Sequence, residues 1–185
     1  RGAGVRHHGA PRLLADLAGL ESERLAVRDL DLDRITLAQI HGRPSGARGR
    51  ARARAAARHR EAVAKLERRD IRCLIVGGDQ GRQDYRRELE AMVERHELGE
   101  VVRIVDHCAD MPAAYMLSDA VVSASTDPEA FGRVMIEAQA LGRPVIASDH
   151  GGARETVLPD QTGWLVPPGD PDALSEALHK VLALD

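Results

Sequence analysis

From about residue 35 onward one pattern recurs: a short apolar run, a glycine or polar turn, then a stretch of helical periodicity. The apolar runs lie at 35–40, 71–76, 101–105, Ala120–Ser123, 145–147 and Gly163–Val166. They are too short for ordinary helices and lack strict alternation, which is how strands covered on both faces read. Helix-like segments fall between them at 50–69, 85–96, Met111–Leu117 and 132–141, with a last one at 171–184. Leu89, Met92, Val93 and His96 share one face of the second segment. Pro112 sits where a first helical turn tolerates proline, Gly142 stops the fourth segment, and Asp170 is placed to cap the last. Strand–helix alternation of this kind implies an α/β fold, a Rossmann-like parallel sheet with helices on both faces. Ligands of such sheets bind beyond the carboxyl ends of the strands. That edge collects Gly42, the Gly77-Gly78 pair, 123–131 and 148–152.

Composition narrows the function classes. The 185 residues are enough for one well-buried domain and short for two. Aromatics supply only 2% of the chain, so Leu, Val, Ile and Ala must build the core. A net charge of −3 argues against nucleic acid as a partner. There is no apolar run long enough to span a membrane and no apolar region of a signal peptide near the N-terminus. The chain opens on Arg1 rather than methionine, and the expectation is a piece of a longer protein. Cys73 and Cys108 lie far apart in apolar surroundings and read as buried thiols. The histidines show no metal-ligand spacing, and no metal is expected. Residues 1–34 read as an interdomain linker or a poorly ordered segment. Within them 29–33 alternates Asp and Leu, which fits a solvated edge or turn.

The segment 123–149 carries the chemistry. A strand ends at Ser123, a loop of small residues with Pro128 follows, and a helix begins near Phe131 and Gly132. Unpaired N–H groups and the dipole at a helix start favour an anion, and a diphosphate fits. Gly132 lets such a group approach the backbone closely. Glu129 lies just before this helix start and Glu137 about two turns into the helix. Helical side chains lean toward the N-terminus, so one ligand could meet both carboxylates. Carboxylates accept hydrogen bonds from sugar hydroxyls. The competing reading pairs Glu137 with Arg133 at i,i+4 and leaves Glu129 solvated.

These residues resemble the Glu-x7-Glu motif of retaining GT-B glycosyltransferases, and their surroundings are similar to glycosyltransferase family 4, the group 1 glycosyl transferases. The landmarks run in family order: Ile75-Val76-Gly77-Gly78, 102–106, Met111 to Tyr115, Ser118-Asp119, Glu129 to Glu137, then Ala138 to Ala147, Gly151 to Glu155, and Thr162 to Asp170. The resemblance covers 71–185 without a break. It implies that 35–185 is the nucleotide-sugar donor domain, one half of a GT-B fold, with the N-terminal acceptor domain absent. It implies that Glu129 binds donor-sugar hydroxyls and Glu137 the ribose hydroxyls. The backbone at Phe131, Gly132, Arg133 and Val134 would hold the diphosphate. Gly77, Gly78, His107 and Met111 would border the base, and UDP is favoured on family frequency. The reaction implied is metal-free glycosyl transfer with retention, to a cell-envelope polysaccharide or glycolipid, in the cytoplasm or at the inner membrane face.

One departure concerns the cations. The family carries Gly-Arg and, a few residues on, Lys-Gly after the domain's first strand. This chain has Gly42-Arg43 and Arg48-Gly49. Arg43 and Arg48 would stabilise the leaving diphosphate, where charge grows in the transition state. Arginine differs from lysine in shape and reach. They sit among nine arginines between 43 and 69, so either position carries little information by itself. That basic stretch also suits contact with a membrane surface. His150 reads as structural or peripheral. A non-catalytic nucleotide-sugar-binding module and an epimerase-like GT-B protein are the alternatives. Gly77 to Gly81 has the wrong spacing for a dinucleotide fingerprint.

Overall fold

The computed structural model describes residues 35–39, 61–68, 70–77, 83–105, 108, 110–126, 128 and 131–184. All of them fall in the compact unit Asp33–Asp185. Six parallel strands form one sheet: β1 (Ile35–Gln39), β2 (Arg72–Val76), β3 (Val102–Val105), β4 (Ala120–Ser123), β5 (Val145–Ser148) and β6 (Gly163–Val166). Their spatial order is β3-β2-β1-β4-β5-β6. The helices are α1 (Gln83–Arg95), α2 (Met111–Leu117), α3 (Arg133–Ala140), α4 (Ala153–Thr156) and α5 (Pro171–Leu182), and residues 61–65 are also helical.

The order explains why helices cover both faces. The chain moves outward one way through β1, β2 and β3, then returns to build β4, β5 and β6 on the other side of β1. Right-handed crossovers in opposite directions put the two sets of helices on opposite faces. The core follows suit. Ala62, Val63, Leu66, Leu174, Ala177, Leu178 and Val181 pack with Cys73, Ile75, Val122 and Ile146 in one buried cluster. Val134, Met135 and Ala138 of α3 are buried on the second layer, where α3 contacts β4 and β5. Burying the Val, Leu, Ile and Met side chains among them contributes about 1.5–3 kcal/mol each. Both cysteines are buried free thiols.

Local signals set the ends. Asp110 caps α2 through the Ala113 N–H at 3.0 Å, and Asp170 caps α5 through the N–H groups of Asp172 and Ala173. The helix expected over 50–69 ends at residue 65 instead. Glu67 takes a left-handed φ of 52°, which turns the chain toward β2. The single turn of α4 is an element that the sequence pattern does not anticipate. Among the described residues no helix is long and apolar enough to cross a membrane.

Candidate functional site

Because every strand runs the same way, all carboxyl ends lie on one edge. The strand order reverses direction between β1 and β4, and the crevice there is the expected ligand position. Ser123 ends β4 at that crevice, and the chain enters α3 through Gly132. Gly132 is buried and adopts φ 63° and ψ 54°, a left-handed conformation that disfavours side chains. As the N-cap, Gly132 brings no side chain to cap α3. The first hydrogen bond of the turn runs from the Met135 N–H to the Gly132 carbonyl at 3.0 Å. The N–H groups before it, at Arg133 and Val134, begin the helix and have no intrahelical acceptor. The Val134 side chain is buried, whereas the Arg133 side chain is 80% exposed. Phe131 is exposed at the entrance.

Glu137 stands one turn further on. Its Oε1 accepts from Arg133 at 3.2 Å, so the i,i+4 pair is made. Its Oε2 accepts from the Tyr115 hydroxyl at 3.1 Å. The two partners differ in kind. Exposed i,i+4 ion pairs contribute about 0.3–0.5 kcal/mol. Tyr115 is fully buried, and a hydrogen bond to a charged group is worth about 1.5–3 kcal/mol. Burial, then the hydrogen bond to Glu137, pushes the Tyr115 phenol well above its ordinary pKa, so it donates across the neutral range. The Glu137 side chain remains 40% exposed, anchored at both oxygens yet open to a ligand.

Two other predicted positions are placed. Gly77 follows β2, and its N–H donates to the Val105 carbonyl at 3.0 Å. Met111 opens α2, half-buried, at the same edge. Arg43, Arg48, Gly78, His107 and Glu129 lie outside the described residues, as does the acidic stretch 29–33. Tyr115 is the site residue that the motif reading missed. A tyrosine in so aromatic-poor a chain was the available signal.

The next loop on this edge is tied to the first. His150 Nε2 lies 3.0 Å from the Ser125 carbonyl, while its Nδ1 is buried without a partner among the described residues. Ser123, Ser125, Met135, Ser148, His150 and Ala153 line a small cleft between the loops. Asp149 accepts from Arg154 at 2.8 Å. Among the described residues no cluster of three or more His, Cys, Asp or Glu side chains forms a metal site.

Residues 54–185 match the model of the family described as glycosyl transferases group 1. The chain belongs to this family. Over 123 residues it is 39% identical to the D-inositol 3-phosphate glycosyltransferase of Xylanimonas cellulosilytica, which covers 63% of this chain and 28% of that protein. It superposes on HepE of Anabaena, solved in complex with UDP-glucose, with a TM-score of 0.72 and 28% identity over 93% of this chain and 45% of that one. A glycosyltransferase from Rickettsia africae gives a TM-score of 0.71 and 31% identity, covering 81% of this chain and 38% of that one. The Rossmann-like architecture is the one these GT-B neighbours carry. The chain spans under a third of the length of the curated relative it matches.

Proposed function

We propose that this chain holds the nucleotide-sugar donor site of a retaining GT-B glycosyltransferase of family 4. The observation that carries the reading is the start of α3. There the uncapped N–H groups after Gly132 sit at the switch of the sheet, with the anchored Glu137 carboxylate one turn away. The N–H groups and helix dipole would hold the diphosphate. Glu137 would accept from the ribose hydroxyls and Glu129 from the donor sugar. Gly77, Gly78, His107 and Met111 would border the base.

Catalysis would then be positioning plus electrostatics. The anomeric C–O bond to the diphosphate breaks, and negative charge grows on the leaving oxygen. Arg43 and Arg48, with the α3 N–H groups, would neutralise that charge without a metal. The acceptor hydroxyl would give its proton to a donor phosphate oxygen, on the face the leaving group vacates, which preserves the anomeric configuration. The acceptor would be held by a preceding domain beyond this chain, so the 185 residues alone would transfer no sugar. We favour a UDP-sugar, in keeping with the UDP-glucose complex of HepE. A cell-envelope polysaccharide or glycolipid acceptor, and a place in the cytoplasm or at the inner membrane face, fit the family resemblance.

Calorimetric titration with UDP, GDP and ADP tests the reading, beside Glu137→Ala. One nucleotide, UDP on this reading, should bind and weaken by about tenfold or more in the variant. A folded chain that binds none of them, or equal affinity in the variant, would refute the donor site.

A further inference from the structure

Tyr115 and Glu137 come from different helices, 22 residues apart, and meet at 3.1 Å. Tyr115 shows no exposed surface, so the packing of α2 fixes its ring, and the hydroxyl is brought to Glu137 rather than drawn by it. An ionised carboxylate offers about four lone-pair positions on two oxygens. Tyr115 occupies a position on Oε2 and Arg133 one on Oε1, which leaves a further position on each oxygen of a side chain that is 40% exposed. Two acceptors side by side match two neighbouring hydroxyls. A glutamate side chain otherwise turns freely about its last torsion, and stopping that rotation costs affinity when a ligand binds. Arg133 cannot supply the hold, because its side chain is 80% exposed and such pairs are weak.

We infer that Tyr115 is a positioning residue for the nucleotide: it fixes the Glu137 carboxylate, before binding, in the orientation that takes both ribose hydroxyls. This deepens the donor-site reading and rests on it. Tyr115 itself touches no substrate. Its hydroxyl sets the plane of the group that does.

The test compares UDP with 2′,3′-dideoxy-UDP, titrated into the wild-type chain and into Tyr115→Phe, whose fold is checked by thermal melting. Phenylalanine keeps the ring and removes only the hydroxyl. UDP should bind Tyr115→Phe about tenfold more weakly, while the dideoxy nucleotide binds both proteins within about twofold. Equal UDP affinity in the two proteins overturns the role and leaves the donor site standing. Equal weakening of both nucleotides also overturns it, because the hydroxyl then supports the fold and not the diol. A folded wild-type chain that binds none of UDP, GDP and ADP overturns the donor site first and this role with it. The contact itself is read without ligand, by ultraviolet titration of the phenols. Tyr115 should ionise at lower pH in Glu137→Gln than in the wild type, and an unchanged titration sinks the contact even if Tyr115→Phe fails to fold.

Discussion

Two loops leave the same edge of the sheet from adjacent strands. Each starts at a buried serine, Ser123 or Ser148, and each enters a helix through a glycine, Gly132 or Gly152. Their polar groups are used differently. The loop after β5 makes several bonds within itself: Asp149 holds Arg154, the His150 backbone N–H bonds to the Ser148 carbonyl, and the Thr156 hydroxyl returns to the Gly152 carbonyl, while the His150 ring reaches across to the Ser125 carbonyl. Gly152 is already right-handed helical, and α4 has only four residues. The loop after β4 passes through a left-handed Gly132 into an uncapped helix of eight residues, with a carboxylate anchored but open. On the proposed donor-site reading, similar ingredients give a ligand site where the N-cap brings no side chain to the helix start and the nearby acceptor is held.

Gly163 offers the largest effect with which to break this comparison. A Cβ there would lie 1.9 Å from the Val145 carbonyl oxygen, where β6 pairs with β5 at the strand end opposite the second loop. Gly163→Ala should cost about 3 kcal/mol or more and lower the melting temperature by about 10 °C. A normal melt would show that β5 and β6 do not approach so closely. A smaller effect separates two glycines under similar strain. Gly132 and Gly151 have φ of 63° and 55°, so alanine at either should cost about 1–2 kcal/mol of stability. Only Gly132→Ala should also weaken UDP, by about tenfold, since its methyl group would crowd the helix start. Equal affinities in the two variants would make the loops equivalent. The smallest effect belongs to the exposed Asp149–Arg154 pair. Arg154→Ala should leave both melting and UDP affinity unchanged, as exposed pairs do. A clear loss of UDP binding there would extend the donor site into the second loop.

The strands were legible because both their faces are covered, which leaves apolar runs that only a buried parallel sheet explains. β5, for instance, is buried at every position from Val145 to Ser148. α4 was not legible, since four residues cannot display a helical period. The early helix end at residue 65 was missed because a glutamate gives no warning of a left-handed φ. Spacing along one helix placed Gly132 at the helix start and Glu137 within reach of Arg133, while the ligand role of Glu137 came only from the family resemblance. Tyr115 was not legible, because its contact with Glu137 depends on how α2 packs beside α3, and no local pattern encodes that.

The central place of β1 bears on where this domain can be cut. The family match begins at residue 54, yet β1 ends at Gln39 and pairs with both β2 and β4. A chain trimmed to the matched residues would split the sheet into a two-stranded piece, β3-β2, and a three-stranded piece, β4-β5-β6, which lack their common neighbour. Two hydrogen-bonding edges that are internal here would lie bare, each a template for pairing with another molecule. A homology-drawn boundary would therefore give a protein prone to aggregate, and a soluble version has to include Ile35–Gln39.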